Sequence, residues 1–531
     1  MTTENYDYIV VGAGSAGAVL ANRLSADGKH NVLLLEAGKS SNPWTRIPIG
    51  FGKLIENPAA NWCYSAEPEE NTDGRRLPVP RGKLLGGSSA INGMIFVRGQ
   101  AMDYDTWGQL GNRGWSYREV LPFFQKMEAY GSGEEEYRGR SGPLKVTEIP
   151  EVEPLYQAIL DAGQQTGLPF NPDYNGASQE GIAISQTTIA KGRRQSTAHC
   201  YLDPAKSRPN LRIVSEALAE RMVFEGTHCT GVHYTVRGVA KQAMAAREVI
   251  VSAGAVKSPQ LLELSGIGQA ERLRGLGITM VHDLPGVGEN LRDHYAPRMR
   301  WRIGAKGYSY NDKARGLGIV REVLKYMIKR TGLLGLPAAP VRAFFRTRDG
   351  LETPDSCIGW FPMLIAPGYK LDSESGLTTF THPLRSESTG NIHIAGNDPG
   401  VQPAINFNFL SSPQDADITL SGIRMTRTIM NAPAMQPLQI EEIFPDPGLL
   451  GDNELIAWVK QTAETTYHPV GTCKMGTDPM AVVDARLRVL GITGLRVADA
   501  SIMPTLTSGN TNAPSIMIGE KAADMVLADA A

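Results

Sequence analysis

Cysteine is scarce in this sequence, with five residues among 531. They are odd in number and stand far apart, at positions 63, 200, 229, 357 and 473. Scattered single cysteines exclude a disulfide framework and the paired spacing of a zinc site. We therefore predict no metal centre and a reducing compartment, the cytoplasm, as the location. Cys473 is expected to be a core residue, because no acyl-transfer triad surrounds it.

An excess of charge of one sign and long apolar runs are missing as well. Lys and Arg number 53 against 55 Asp and Glu, so the formal net charge is −2. Such a balance gives no electrostatic footprint for a nucleic-acid partner. The apolar stretch near the amino terminus reaches Asn22 and Arg23 too soon to span a bilayer, and its flank is acidic, unlike that of a signal peptide. We expect no membrane span.

Glycine, by contrast, is plentiful at 57 residues, and the first of them lie in a βαβ pattern. Residues 8–11 form a β-branched run, residues 12–17 a glycine-rich turn, and residues 18–25 have helical character. Residues 31–35 are continuously apolar. A continuous apolar run is typical of a parallel strand that is buried on both faces.

The turn carries a dinucleotide fingerprint. Gly12, Gly14 and Gly17 form G-x-G-x-x-G between strand and helix, and Glu36 follows the third glycine by 19 positions. The glycines allow a tight turn, close approach of a pyrophosphate and close helix–strand packing, while the helix N-terminus attracts negative charge. An acidic residue after the second strand accepts hydrogen bonds from ribose hydroxyls. The pattern favours FAD or NAD over NADP, and the alternative is a glycine-rich turn without a ligand.

Further along the chain, two runs resemble the first buried strands, at residues 248–251 and 495–498. The nucleotide-binding sheet is therefore expected to combine three distant segments. Between them, side chains alternate between polar and apolar in three places, at residues 296–303, 391–395 and 403–409. This period is typical of antiparallel strands with one open face. With helical patterns at 318–330 and 413–431, the middle of the chain is predicted to form a mixed sheet with flanking helices.

Two longer motifs point to a family. They are GKLLGGSSAIN at residues 82–92 and GAVKSPQLLELSGIG at residues 254–268. Both resemble the signature patterns of the glucose–methanol–choline (GMC) oxidoreductases. Further agreement lies in NWCYSAEPE, LPGVGENLRDH, TTYHPVGTCKMG, LRVADASIMP and SGNTNAP, so the resemblance runs from residue 7 to about residue 527.

The resemblance implies an α/β two-domain flavoprotein that oxidises an alcohol. Its Rossmann-like FAD domain would be discontinuous, comprising residues 1–155, 205–298 and 462–531. Its substrate domain, an antiparallel sheet with flanking helices, would comprise residues 156–204 and 299–461. The resemblance also implies FAD contacts at Gly12, Gly14, Gly17, Glu36, Gly87, Asn92, Gly93, Ala219, Asp499, Ala500 and Asn512.

A catalytic pair follows from the same resemblance. His468 would face the flavin, and Asn510 would stand beside it. An imidazole of near-neutral pKa is suited to accepting the hydroxyl proton of an alcohol while the carbon-bound hydrogen leaves as hydride. An amide is suited to donating a fixed hydrogen bond to the same oxygen. His294 and His393 lack comparable sequence context and are predicted to be structural.

Two positions depart from some relatives. Ile91 stands where a histidine attaches FAD covalently in some members, so FAD is predicted to be non-covalent. Gly93 stands where choline oxidases carry serine, and no quaternary-ammonium cage is evident, which disfavours choline. Candidate pocket residues are Trp62, Trp360, Phe361, Met363 and Tyr467. An apolar, aromatic pocket favours a ring-bearing or neutral primary alcohol.

The predicted function is FAD-dependent oxidation of a primary alcohol to an aldehyde, with oxygen or a quinone-type acceptor receiving the electrons. Alternatives are a sorbose-type sugar or pyridoxine oxidoreductase, a hydroxynitrile lyase on the same fold, or a flavin-binding scaffold. Beyond the alcohol and the acceptor, no macromolecular partner is predicted except a second copy, since both a monomer and a homodimer fit the sequence.

Overall fold

The computed structural model describes residues 3–366 and 370–530. A seven-stranded sheet forms around the glycine-rich turn. Its spatial order is Leu211–Val214, Val32–Leu35, Thr3–Val11, Val239–Val251, His228–Val236 and Ala217–Glu225, with Leu495–Val497 paired to Val239–Val251. The strands expected near residues 8, 31, 248 and 495 all lie in this sheet. They pair in parallel, and only the last two strands of the order pair antiparallel.

Helices cover this sheet because its strands are apolar on both faces. All four residues of Val32–Leu35 are buried. Helix Ser15–Leu24 packs against helix Asn512–Ala530, where Arg23 Nη2 pairs with Glu520 Oε1 at 2.7 Å. The other helices of nine or more residues are Ala101–Gln109, Tyr117–Met127, Pro154–Gln165, Gly254–Leu264, Leu317–Lys329, Pro413–Met430 and Asp452–Thr462.

A second sheet of six strands occupies the middle of the chain. Its spatial order is Ile440–Phe444, Arg298–Ile303, Gly376–Pro383, Ser356–Phe361, Val341–Phe345 and Gly181–Ile184. Every one of these pairings is antiparallel, so the antiparallel sheet that the family resemblance implied is confirmed, and the mixed sheet expected from the sequence pattern alone was wrong. The expected strands near residues 391 and 403 form a separate two-stranded ribbon, Asn391–His393 with Ala404–Asn406.

The two faces of the second sheet differ. Along Arg298–Ile303, Met299, Trp301 and Ile303 are buried, and the alternate residues are arginines. Helix Pro413–Met430 packs against strands Gly376–Pro383 and Ser356–Phe361. Because successive side chains point to opposite faces, the arginine side of the sheet is free to face a cavity. Among the described residues, no helix is long and apolar enough to cross a membrane.

Candidate active site

A cavity of about 1160 Å³ lies between the two sheets. Val11, Leu35 and Ala217 contribute to its wall from the nucleotide sheet, and Arg300 and Arg342 from the second sheet. The carboxyl ends of the parallel strands open into it, which is where open α/β sheets bind ligands. The predicted residues that line it are Gly12, Gly14, Glu36, Gly87, Asn92, Gly93, Ala219, Asp499, Ala500, Asn512, Trp62, Phe361, Met363, Tyr467, His468 and Asn510.

The three glycines of the fingerprint differ in what surrounds them. A Cβ on Gly12 would lie 2.4 Å from Ser252 O, and one on Gly17 would lie 1.9 Å from Gly12 O. Gly14 has no heavy atom within 4 Å of such a Cβ, although it borders the cavity. Gly12 and Gly17 are therefore required by backbone packing, whereas the space at Gly14 is available to a ligand.

Other residues extend the cradle. A Cβ on Gly87, which has φ +50°, would lie 2.7 Å from Gly14 Cα, so the two loops touch. The Glu36 carboxylate accepts hydrogen bonds from the N–H groups of Ala13 at 3.0 Å and Gly38 at 2.9 Å. Burial raises the pKa of Glu36 to about 7. A carboxyl group held in this way at the end of the second strand fits a ribose diol.

Farther into the cavity, polar side chains are held by their neighbours. Asp499 Oδ2 accepts hydrogen bonds from Gly254 N at 2.8 Å and Ser258 Oγ at 2.6 Å. Asn512 Oδ1 accepts one from Ser15 Oγ at 2.8 Å. Together with the open space at Gly14, these residues form a polar cradle whose chemistry fits a dinucleotide cofactor.

The double-glycine segment carries Asn92 and Gly93 along the same wall. Asn92 Oδ1 accepts a hydrogen bond from Arg194 Nη1 at 2.6 Å, which turns its amide nitrogen away from that contact. A Cβ on Gly93 would lie 2.3 Å from the Cβ of Ala338. Ile91 also borders the cavity. The wall is therefore packed closely and carries no nucleophile at position 91.

At the other end of the cavity, His468 Nε2 lies 2.9 Å from Asn510 Nδ2. Asn510 Oδ1 in turn accepts a hydrogen bond from Arg342 Nη1 at 2.7 Å. Because an arginine is a donor only, this contact fixes the amide oxygen toward Arg342 and the amide N–H toward His468. His468 Nε2 is then the unprotonated, accepting nitrogen.

The opposite side of the His468 ring supports the same assignment. His468 Nδ1 lies 3.0 Å from His294 Nδ1, and His294 Nε2 lies 2.9 Å from Leu384 O. A carbonyl only accepts, so His294 carries its proton on Nε2 and accepts at Nδ1. His468 then donates from Nδ1, also toward Thr466 Oγ1 at 2.8 Å. His294, given no role from sequence, therefore positions the ring of His468.

Electrostatics keep both rings neutral. Burial, and then the neighbouring His294, His382, Arg342 and Arg81, hold the pKa of His468 well below its usual value. Burial lowers the pKa of His294 to about 4. A neutral imidazole with an accepting nitrogen at the cavity is the form that a general base requires.

Asp293 completes this corner. It accepts hydrogen bonds from the backbone N–H groups of His294 at 2.7 Å and His468 at 2.9 Å, and from the Thr465 hydroxyl. Potential metal-ligand atoms of Asp293, His294 and His468 lie within 4.8 Å of one another. Each of them is already hydrogen-bonded within the protein, so we interpret the cluster as a positioning network. His393 lies elsewhere, between Glu263 and Glu289.

One pocket prediction needs correction. Trp360 does not line the cavity. It is buried on the other face of its strand, where its indole Nε1 lies 3.4 Å from Met430 Sδ. Its neighbour Phe361 borders the cavity, and consecutive strand residues point to opposite faces. Trp360 and Phe361 therefore cannot both line the cavity. Gly17 is also absent from the lining, in keeping with its packing against Gly12.

A nucleotide cradle beside a buried, neutral histidine is the arrangement expected of a cofactor-dependent oxidoreductase. The chain belongs to the GMC oxidoreductase family, whose amino-terminal model matches residues 6–296 and whose carboxyl-terminal model matches residues 386–519. It is an FAD-dependent enzyme that oxidises an alcohol.

The relatives agree in length and fold. The oxygen-dependent choline dehydrogenase of Photobacterium profundum is 42% identical, over 98% of this chain and 93% of its own. A pyridoxine 4-oxidase from Mesorbium loti has a TM-score of 0.87 at 29% identity, covering 98% of each chain. An Aspergillus oryzae RIB40 formate oxidase variant reaches 0.93 at 27% identity, covering 100% of this chain and 99% of that one. These names favour redox chemistry over the lyase alternative.

Proposed function

We propose that the protein oxidises a neutral primary alcohol to an aldehyde, with His468 as the base and Asn510 as the donor to the alcohol oxygen. The observation that carries this is the His468–Asn510 pair, at 2.9 Å, in the wall of a cavity that also contains the nucleotide cradle. FAD, when bound, accepts the hydride from the alcohol carbon.

In this proposal the protein moves one proton. The alcohol hydroxyl takes the place of the Asn510 N–H and donates to the single lone pair of His468 Nε2, and the alcohol oxygen accepts a hydrogen bond from the released Asn510 Nδ2. Arg342 holds the amide in the required orientation, and His294 holds the imidazole in the required tautomer. Fixed donors of this kind stabilise negative charge on the alcohol oxygen as its proton leaves.

The cofactor is proposed to bind without a covalent bond. Gly12, Gly14 and Gly87 would hold the pyrophosphate region, Glu36 the ribose, and Asn92 the flavin. Gly93, Ala219, Asp499, Ala500 and Asn512 would complete the contacts. Support comes from the open space at Gly14 and from Ile91, whose side chain forms no bond to a flavin. Acid precipitation should then release the flavin into the supernatant, whereas flavin retained by the pellet would contradict the proposal.

A positively charged alcohol fits the cavity poorly. Three carboxylates line the described part of it, Glu36, Asp499 and Glu464, and each already has a protein partner. Lys83 Nζ and Lys257 Nζ lie 4.3 Å and 4.5 Å from the Trp62 ring centroid, so that ring already has two cations. Several relatives are named choline dehydrogenases, but here the three cavity carboxylates are already paired and the Trp62 ring is already in contact with two cations.

The experiment compares choline with 3,3-dimethylbutan-1-ol, its neutral isostere, in anaerobic reduction of the bound flavin. We expect the neutral alcohol to have the higher second-order rate constant, by at least about tenfold, because like charges repel in a cavity of low dielectric. A faster reaction with choline would contradict the proposed substrate class. Failure of every primary alcohol to bleach the flavin would contradict the proposed chemistry.

Domain boundaries, location, electron acceptor and oligomeric state complete the proposal. Residues 1–155, 205–298 and 462–531 are proposed as the FAD domain, with the rest as the substrate domain, because the two sheets draw their strands from these segments. All five cysteines are free, in keeping with a cytoplasmic location. Oxygen or a quinone is proposed as the electron acceptor, and the protein is proposed to be a monomer or homodimer.

A further inference from the structure

Helix Leu317–Lys329 is oriented with its apolar side toward solvent. Leu317 is 87% exposed, Ile328 79% and Met327 64%. Ile319, Val320 and Leu324 are exposed too, so this helix holds six of the fifteen exposed large apolar side chains of the described residues. A water-exposed helix normally buries its apolar stripe, and a clustered exposed patch usually marks an interaction site.

The buried side of the helix is polar. Glu322 Oε2 accepts a hydrogen bond from Leu333 N at 2.8 Å, and the Tyr326 hydroxyl donates to Gly192 O at 2.8 Å. Lys325 Nζ pairs with Glu151 Oε2 at 2.6 Å. These polar contacts fix the orientation of the helix, so the exposure of its apolar side is a property of the folded structure.

The charges near the exposed face are positive. Arg321 and Lys329 are exposed on the helix, and Arg315 is exposed just before it. The single acidic residue of the helix, Glu322, is buried against the protein. An apolar face bordered by Lys and Arg is the pattern of helices that lie in the interface of an anionic bilayer.

This face is continuous with the cavity. Ile319 and Val323 of the helix line the cavity wall, and so do two other exposed apolar residues, Trp44 and Leu371. A surface that contacts this helix would therefore adjoin the space that leads toward His468. The juxtaposition distinguishes the helix from exposed apolar residues elsewhere, such as Val239 and Leu450.

We propose that helix Leu317–Lys329 docks the enzyme on an anionic lipid bilayer, so that a membrane quinone exchanges with the cavity directly from the lipid. This rests on the proposed alcohol oxidation. Conversion of one alcohol to one aldehyde releases two electrons and two protons, which convert one quinone to one quinol. The exposed apolar side chains enter the acyl boundary, and the flanking cations lie at the lipid headgroups.

Vesicle flotation tests the docking independently of catalysis. The holoenzyme should float with vesicles of phosphatidylcholine containing phosphatidylglycerol, and less with phosphatidylcholine alone. The variant L324Q/M327Q/I328Q should lose at least about a hundredfold in partition coefficient, since each side chain forfeits apolar burial. R321Q/K329Q should lose about fivefold per charge at low salt. The matched control V152Q/V239Q/L450Q, which changes equally exposed apolar residues elsewhere, should float as the wild type does.

Equal flotation of the two triple variants would overturn the proposal. So would a wild-type dimer, seen by light scattering without lipid, that becomes monomeric in L324Q/M327Q/I328Q, because the face would then be an interface between copies. A third measurement compares acceptors: the helix variant should retain alcohol oxidation with a water-soluble dye but lose at least about tenfold with a long-chain quinone in vesicles. Equal loss with both acceptors in the helix variant would overturn the docking proposal, whereas a wild type that oxidises the alcohol with neither acceptor would indicate failure of the proposed function.

Discussion

The two ends of the cavity are built in different ways. At the nucleotide end, one continuous stretch supplies the turn, and backbone atoms make the contacts: Gly17 touches Gly12, and Glu36 accepts from main-chain N–H groups. At the alcohol end, side chains from four distant segments meet at His468. The first end leaves no room for an added atom at Gly12 and Gly17, whereas the second depends on which atom of each side chain carries a proton.

The largest expected effect lies at the alcohol end. His468→Ala should lower kcat/KM by about 10²–10⁴-fold, because the base is lost while the cradle is intact. The flavin content should stay that of the wild type. His228→Ala, which changes an exposed histidine far from the cavity, is the control. A kcat/KM of His468→Ala within a factor of two of the wild type would contradict the proposal that His468 is the base.

At the nucleotide end, two glycines separate folding from binding. Gly17→Ala should lower the free energy of unfolding by about 1–3 kcal/mol, because its Cβ would meet Gly12 O. Gly14→Ala should leave the melting temperature of the apoprotein unchanged and raise the Kd for FAD at least about tenfold, since the methyl group enters ligand space. Thermal denaturation and flavin titration measure the two quantities. Equal changes in melting temperature and in the Kd for FAD in the two variants would contradict the different roles given to Gly14 and Gly17.

A smaller effect is expected at Arg342, which acts through Asn510. Arg342→Met should lower kcat about tenfold, the loss of one charge-assisted hydrogen bond that orients the amide, with little change in KM. Arg346→Met, at an exposed position just beyond the same strand, should behave as the wild type. Stopped-flow reduction of the flavin provides the measurement. A change in KM alone would assign Arg342 to substrate binding instead.

The smallest effect is a shift of the pH profile. His468 must be unprotonated to accept a proton, and its pKa is held well below 6.5 by burial and nearby cations. The kcat/KM of the wild type should therefore stay level as the pH falls through 6.5 and decline only at lower pH. Arg342→Met should move this decline upward, because one of those cations is gone. A wild-type decline centred at pH 6.5 would contradict the neutral, buried base.

The difference between the two ends also explains what sequence could predict. The glycine turn and Glu36 lie close together in the sequence, so their spacing alone predicted them. The signature motifs predicted Gly87, Asn92 and Gly93, which line the cavity. His294 was missed because its partner His468 is 174 positions away and no local pattern joins them. Trp360 and Phe361 are consecutive in a strand, so their side chains point to opposite faces and the sequence alone could have excluded one of them from the cavity wall. The pattern at 318–330 predicted a helix correctly, but periodicity defines a stripe without saying which side faces the protein.

The chain of hydrogen bonds through His468 has closed ends. It starts at the Arg342 guanidinium, which does not give up its proton, and it stops at the Leu384 carbonyl, which cannot relay one. A proton that His468 gains therefore has no exit through the protein interior along this route. In the proposed mechanism the proton returns to the cavity that His468 lines, and its release is tied to the departure of the aldehyde and the entry of water. In the proposed mechanism, His468 therefore loses its proton again on the cavity side once in each catalytic cycle.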